Sequence, residues 1–315
     1  MGRMALPRMP LSTASAVTFL YALGYPIGAL AVAAMSPMAA LVLRFSLAAW
    51  ILAAWTVLAK APWPRGVQLG HVLVTGLLIQ GVQFCSLYEA LQLGAPAVLG
   101  AVAIAMNPVI TAILAAAFLR EPLGAQRVTA LALGVVAVLA ACAKRLMSTH
   151  GVDPVILLLV LALLGLSVGG VYQQRFCAGV DFRAMSAMQN AVALIPAAAL
   201  AILTPFTVHD APKAAVAVSG VVLLNATLAV SLYVRAINTH GAAAVAMLFA
   251  VIPAVAAVLS WLMLGQRPDA GVAVGLLAGG LACWLNGRAS GRVKGGEKPL
   301  AATTDETLTR VDAAA

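Results

Sequence analysis

Three side chains suited to binding a small solute share one face of a predicted helix. Gln80, Phe84 and Tyr88 occupy positions i, i+4 and i+8 of an apolar segment, so they form a single stripe. An amide accepts a hydrogen bond from an ammonium and donates one to a carboxylate, and an aromatic ring packs against an apolar group or a cation. This combination suits a neutral or zwitterionic solute. The alternative is that the amide only joins helices by hydrogen bonds, with no ligand involved.

Matching residue types recur 145 positions further along the chain. Asn225 is the equivalent of Gln80 at this offset, and Tyr233 is the equivalent of Tyr88. The chain therefore contains two copies of one structural unit. Asn225 is expected to face Gln80 across a pseudo-two-fold axis and to line the same central cavity.

The composition places these residues in a membrane protein. The chain is 63% hydrophobic and 9% charged, with a mean hydropathy of +1.02, far too little charge to cover a soluble protein of 315 residues. Its net charge of +9 does not indicate nucleic-acid binding, because the basic residues sit at the ends of apolar runs and form no continuous stripe. The positive charge is instead a topology signal.

Ten apolar segments make up most of the chain, each near the roughly 20 residues that a helix needs to cross a bilayer. They cover residues 14–35, 38–59, 67–91, 96–119, 125–143, 155–175, 184–204, 214–236, 241–264 and 270–287. Five segments per copy is an odd number, so the second copy enters the membrane inverted, as in many secondary transporters. The predicted fold is an all-α membrane protein with ten transmembrane helices in a 5+5 inverted repeat.

The domain organisation and orientation follow from these segments. Residues 1–12 are predicted to form a cytoplasmic N-terminal segment, 13–147 and 152–287 the two five-helix repeats, and 288–315 a disordered cytoplasmic tail. Of the 19 lysines and arginines, 14 fall on one predicted side and four on the other, with Arg44 inside a span. Because cytoplasmic loops carry the excess of positive charge, both termini are predicted to be cytoplasmic.

Several residues outside the stripe are candidates for bending or gating. On the first span, Gly24 and Pro26 predict a hinge beside Tyr21 and Tyr25, two rings that either line the cavity or pack in the core. Trp261 on the ninth span is either a gate or part of an interfacial aromatic belt.

Two prolines predict symmetric breaks in the middle of the fourth and ninth spans. Met106 and Asn107 precede Pro108, and Phe249 lies one turn before Pro253. These bends are expected to shape the cavity, with Met106, Asn107 and Phe249 on its wall. Asn107 has an alternative role, which is to satisfy a carbonyl freed by the break.

Arg44 and Glu89 are charged residues within predicted spans. In the predicted topology they lie at similar depths, so we hypothesise that they form a structural ion pair, since pairing offsets the cost of an isolated charge. The alternative is that Arg44 extends its side chain to the membrane surface.

Three motifs of the first copy carry a resemblance to a known family, and the second copy repeats them. They are Leu87-Tyr88-Glu89-Ala90-Leu91, Asn107-Pro108 and Phe118-Leu119-Arg120-Glu121-Pro122-Leu123, repeated as Leu232-Tyr233, Ile252-Pro253 and Leu264-Gly265-Gln266-Arg267-Pro268. They resemble the EamA domain of the drug/metabolite transporter superfamily, and Arg44-Phe45 is similar to its pattern too. Gln266 departs from the motif, which has an acid there. Within the superfamily the chain looks most like the YddG-type amino acid exporters.

The resemblance implies a ten-helix bundle in the bacterial inner membrane that exports solutes through a cavity between the repeats. It points to amino acids, aromatic and other neutral ones, moved by alternating access, and the lack of a carboxylate near mid-membrane predicts facilitated diffusion. The serious alternative is a broad-specificity drug or metabolite exporter, with or without proton coupling. A remote alternative is a non-transporting membrane scaffold.

The absence of certain residue patterns limits the mechanism. Apart from Glu89, every acid lies in a predicted loop or tail, which argues against proton coupling unless Glu89 performs it. No nucleotide-binding loop, catalytic triad or metal-ligand spacing occurs, so no enzyme activity, metal or cofactor is predicted. The expected partners are an amino acid or similar small molecule and the bilayer, without nucleic acid. The GxxxG spacing of Gly271, Gly275 and Gly279 suits either internal packing of a monomer or a weak homodimer.

Overall fold

The described part of the protein is helical. The computed structural model describes residues 9–119 and 153–267, together with positions 129, 132–133, 136, 270, 272–274, 276–278 and 280–281. The helices are α1 (Leu11–Ala34), α2 (Pro37–Leu58), α3 (Val67–Gln92), α4 (Ala97–Ile104), α5 (Asn107–Leu119), α6 (Pro154–Phe176), α7 (Phe182–Leu203), α8 (Ala211–His240), α9 (Ala242–Ala246) and α10 (Ile252–Leu264). Within these ranges β structure is limited to one isolated bridge, between Met35 and Val208.

Seven helical stretches of the described residues are long and apolar enough to cross a membrane. They are α1, α2, α3, the run from α4 into α5, α6, α7 and α8, and α10 is a shorter apolar helix. The predicted fifth and tenth spans, the loop containing Glu121 and the GxxxG glycines lie largely or wholly outside the described residues. The total of ten spans therefore stays a prediction.

The breaks predicted at the two prolines are present. The fourth span is interrupted between Ile104 and Asn107, and Pro108 lies in the first turn of α5. In the ninth span a 3₁₀ turn, Met247–Ala250, precedes α10, and Pro253 stands near the start of that helix. Proline is tolerated in a first helical turn because the backbone N–H that it lacks has no partner there.

Two wide helical turns occupy equivalent places in the two repeats. α3 is π-helical over Leu77–Val82, and α8 is π-helical over Val221–Ala229. Adding 145 to the first range gives 222–227, which falls inside the second. Gln80 and Asn225 each lie in one of these segments, and such turns occur frequently at functional sites.

The helices of one repeat pack mainly on those of the other. α1 packs on α8 and α10, α6 packs on α3, α4 and α5, and α2 packs along α7. The two π-helical segments also contact the opposite repeat, the first against α6 and α7 and the second against α1 and α2. The centre of the molecule therefore lies between the repeats.

The contacts at the two ends of the bundle show that the repeats are antiparallel. Met35, just after α1, pairs with Val208, just after α7. The position of the second repeat that is equivalent to Met35 is Val180, which lies before α7, at the other end of that helix from Val208. The two copies therefore run in opposite directions. Trp55 near the end of α2 contacts Phe182 at the start of α7, with ring centroids 5.7 Å apart. We call the end with Trp55 and Phe182 the basic end, and the end with Met35 and Val208 the opposite end.

Aspartates begin three helices of the second repeat. A side-chain oxygen of Asp153 accepts from the backbone N–H of Val155 at 2.8 Å, and Asp181 accepts from that of Arg183 at 2.9 Å. Asp210 caps α8 in the same way. These contacts satisfy N–H groups that have no partner within the helix, so three predicted loop acids serve helix initiation.

Candidate functional site

Arg44 lies between the two amides that the sequence pairs. Its Nη2 donates to Oε1 of Gln80 and to Oδ1 of Asn225, both at 3.3 Å. Arg44 and Gln80 have no exposed surface, and Asn225 is 3% exposed. The three residues come from α2, α3 and α8, so one guanidinium links the amides of both repeats at the centre of the molecule.

Aromatic rings cover this guanidinium. Its carbon lies 3.5 Å from the ring centroid of Phe84 and 5.0 Å from that of Phe45, both within the range of a cation–π contact. The rings of Phe84 and Tyr88 form an edge contact with centroids 6.5 Å apart, and both side chains are buried. The predicted stripe of Gln80, Phe84 and Tyr88 therefore meets Arg44. We call Arg44, Gln80, Phe84, Tyr88 and Asn225 the central cluster.

The central cluster contains polar atoms without partners. Within the part of the chain that the structure describes, Nε and Nη1 of Arg44 and Nε2 of Gln80 are buried and make no hydrogen bond. A buried donor without a partner is costly, and more so when it carries charge. The cluster therefore has spare capacity to donate.

The predicted ion pair between Arg44 and Glu89 is wrong. Both residues are described, yet no ion pair joins them, and the hydrogen bonds of Arg44 go to Gln80 and Asn225. Glu89 is only partly buried, near the end of α3. The physical reason is that two side chains at similar depths can still point in different directions. The guanidinium of Arg44 points toward α8, a helix of the second repeat.

Tyr21 and Phe249 come together in a second aromatic group. The Tyr21 ring lies 5.0 Å from Phe249 and 5.8 Å from Tyr233, centroid to centroid. Its hydroxyl accepts a hydrogen bond from Nε2 of Gln83 at 2.8 Å. Tyr25 is also buried, and its hydroxyl has no partner among the described residues. A role of these rings in binding stays a prediction.

Gly24 is a point of close approach between α1 and α8. A Cβ at this position would clash with the side-chain amide of Asn225, coming within 2.9 Å of its Cγ. At the equivalent Gly169, a Cβ would lie 3.0 Å from Cβ of Leu78. Glycine is needed here for space, which the hinge interpretation did not foresee. Pro26 stands inside α1, which is continuous from Leu11 to Ala34.

Asn107 ties the broken fourth span to α6. Its Oδ1 accepts from the hydroxyls of Ser167 at 2.8 Å and Thr111 at 3.0 Å. Asn107 is 1% exposed, and the neighbouring Met106 is 4% exposed. The side-chain oxygen of Asn107 is thus engaged in packing the repeats together.

Trp261 lies at the periphery. The side chain is 52% exposed and stands one turn before the end of α10. This position fits the interfacial belt, the alternative to a gate.

The model of the EamA-like transporter family matches residues 9–142 and again residues 153–288. The chain belongs to this family. One solved crystal structure, described only as that of a protein, has a TM-score of 0.66 and 18% sequence identity, covering 91% of this chain and 100% of the other. That likeness concerns the fold alone. No curated protein matches the chain in sequence.

Membership of the EamA-like family makes this a multi-pass membrane transporter with two copies of one unit. Among the described residues, no three His, Cys, Asp or Glu side chains are grouped to hold a metal ion.

The repeats of this EamA protein also meet in a polar network near the basic end. Nε2 of Gln189 donates to Oγ1 of Thr75 at 3.1 Å and to Oε1 of Gln173 at 3.2 Å. Gln173 in turn donates to Asn238 at 3.1 Å. These residues were not among the predicted site residues. The repeat offset would have found Gln189, because it is the equivalent of Arg44.

Aromatic side chains next to this polar network also hold the repeats together. Nδ1 of His71 and the hydroxyl of Tyr172 are 2.8 Å apart, and the ring of Phe176 stacks on His71 with centroids 4.7 Å apart. These contacts join α3 to α6 at the basic end.

The opposite end contains a cavity of about 590 Å³. It is lined by the end of α1, the turn after α3 and the segment after α10, with Gln92, Gln266 and Arg267 as polar lining residues. Ala29 lines it too, next to Gly28, at which a Cβ would lie 3.2 Å from the hydroxyl of Tyr88.

Proposed function

We propose that this EamA-family protein exports small metabolites from the cytoplasm, with neutral amino acids, including aromatic ones, as its substrates. The observation that carries the proposal is the convergence of Gln80 and Asn225, equivalent residues of the two repeats, on one buried central cluster. Amides and aromatic rings are groups that recognise a zwitterion with an apolar side chain. The resemblance to YddG-type exporters supports the choice of amino acids.

The arrangement of the two ends supports transport by alternating access. Hydrogen bonds and ring contacts join the repeats near the basic end, while a cavity lies at the opposite end. In an inverted-repeat transporter the two ends exchange these states as one repeat moves against the other. The π-helical segments and the breaks before the two prolines are the places where α3, α8 and the fourth and ninth spans can bend.

The distribution of charge supports an orientation in the bacterial inner membrane. The basic end carries Lys60, Arg65, Arg175, Arg183 and Arg235, whereas the opposite end carries Lys213 and Arg267 among the described residues. The positive-inside rule then places the basic end in the cytoplasm, with both termini on that side. We propose a monomer or a weak homodimer in the bilayer.

Uptake into proteoliposomes containing the purified protein tests the function. A panel of labelled amino acids is supplied with and without a pH gradient. We expect neutral and aromatic amino acids to equilibrate down their gradients, unchanged by the pH difference. Gln80→Ala and Asn225→Ala are expected to reduce flux about tenfold or more, because each removes a buried hydrogen-bonding group from the cluster.

The matched control is Gln68→Ala, which removes an exposed amide from the same α3 helix. Its flux should equal that of the wild type. Flux that follows the pH gradient would favour proton coupling, and flux of drugs without amino acids would favour the broad exporter. An absence of any flux would favour a scaffold.

A further inference from the structure

We propose that Arg44 binds the carboxylate of the transported solute, so that the central cluster selects acids over the corresponding amides and amines. This inference rests on the proposed function and names the group of the substrate that the site recognises. It gives Arg44 a role in specificity in place of the predicted ion pair.

Arg44 lies two turns inside α2 with no exposed surface, and no acidic side chain of the described residues forms an ion pair with it. A charge in this position is costly unless it is paired or hydrogen bonded. Two amide oxygens at 3.3 Å offset part of that cost, and the net positive charge remains. An anionic group is the missing complement.

Nη2 makes both hydrogen bonds of the guanidinium, while Nε and Nη1 make none. A carboxylate can accept directly from Nε or Nη1, and a two-pronged contact that includes Nη2 would displace the oxygen of Gln80 or Asn225, because both N–H groups of Nη2 already donate. Nε2 of Gln80 is a further unpartnered donor in the same cluster.

Within the described residues, Arg44 is the one cation of the central cluster, and its neighbours there are neutral amides and rings. One guanidinium matches the single charge of a carboxylate, whereas a phosphate group carries more charge and more acceptors than this cluster complements. The rings of Phe84 and Tyr88 supply an apolar surface beside the charge, as an amino acid with an apolar side chain requires.

Competition in proteoliposomes tests the proposal. Uptake of a transported amino acid is measured against its unlabelled free acid, its primary amide and its decarboxylated amine. For the wild-type protein, we expect the free acid to compete at a concentration at least about tenfold lower than the amide does. This is the difference expected for a charge-assisted hydrogen bond. Arg44→Gln should lose this preference, and Arg44→Lys should retain part of it. Arg65→Gln, in an exposed loop, is the control and should retain all of it.

The outcomes separate the two proposals. If amino acids are transported but acid and amide compete equally, the assignment of Arg44 is overturned while the proposed function stands. Full preference in a folded Arg44→Gln variant overturns it too. If another solute class is carried, the amino acid proposal fails, and the acid–amide pair of that solute decides the role of Arg44. If Arg44→Gln does not fold, the wild-type preference and Arg44→Lys decide it. A wild-type protein that transports no acid overturns both.

Discussion

Arg44 and Gln189 occupy equivalent positions of the two repeats, and each reaches across to a polar group of the opposite repeat. Arg44 donates to Asn225 of α8, whereas Gln189 donates to Thr75 of α3. The scaffold is therefore symmetric while its chemistry is not: one contact carries a positive charge and the other is neutral. We therefore expect a division of roles, in which Arg44 binds the solute and Gln189 holds the repeats together near the basic end.

Replacing Gln189 by Leu tests this division. The variant loses hydrogen bonds to Thr75 and Gln173, so we expect a loss of stability of about 0.6–1.7 kcal/mol, the range for hydrogen bonds between membrane helices. The preference for acid over amide should not change, because Arg44 remains in place. Thermal unfolding in detergent and the competition assay measure the two effects. A changed preference would argue against the division.

Gly24→Ala should destabilise the contact between α1 and α8. A Cβ would clash with the amide of Asn225, so this buried side chain or the two helices must shift, at a cost of about 1–3 kcal/mol. The matched control is Gly70→Ala, because a Cβ at that helical position has no neighbour within 4 Å. The control should be neutral or slightly stabilising, since alanine favours the helix more than glycine does. Equal unfolding temperatures for the two variants would contradict the close approach.

The cap of α7 should make stability depend on acidity. The hydrogen bond from Arg183 holds the pKa of the Asp181 carboxyl below its usual value of 3.8. Because the folded-state pKa is the lower one, the carboxylate contributes stability above pH 3.8, and the contribution is lost as the pH falls through the folded-state pKa. Asp181→Ala should cost about 1 kcal/mol at neutral pH, a typical value for an N-cap.

The difference in unfolding free energy between wild type and Asp181→Ala should accordingly shrink in acid. Asp181→Asn keeps a capping oxygen without the charge, so it should lack this pH dependence. A gap between wild type and Asp181→Ala that stays constant below pH 3.8 would show that the charge plays no part.

Tyr172→Ala should loosen the basic end. Tyr172 contacts His71 and Phe176 beside Cys177, which has no exposed surface. In a variant that retains Cys177 as its only cysteine, we expect maleimide labelling to rise several-fold when Tyr172 is removed, because buried thiols react slowly. Trp261→Ala, an aromatic deletion at the opposite end, should leave the labelling unchanged. Identical labelling of all three proteins would exclude a closing role for Tyr172.

The features that local sequence predicts are those with a local cause. Proline lacks a backbone donor wherever it stands, so the breaks at Pro108 and Pro253 could be located in advance. Membrane-spanning helices require long apolar runs, so seven of them could be outlined. The convergence of Gln80 and Asn225 on one cluster followed from the repeat, since equivalent residues lie near the same axis.

Features that depend on helix rotation could not be derived from the sequence. No residue type requires the wide turns of Leu77–Val82 and Val221–Ala229. The partner of Arg44 depends on which face of α2 meets α8, and that partner, Asn225, lies 181 positions away in the sequence. Gly24 was interpreted as a hinge because the neighbour that needs its missing side chain, Asn225, belongs to the other repeat.

The exchange of partners between repeats has a consequence for how the polypeptide assembles. α1 packs mainly on α8 and α10, and α6 packs mainly on α3, α4 and α5, so each half of the chain supplies a helix to the other's bundle. A polypeptide divided between the two halves would yield fragments that each lack their own packing partner. Such fragments should persist only when both are synthesised together, as obligate complements of a single folding unit.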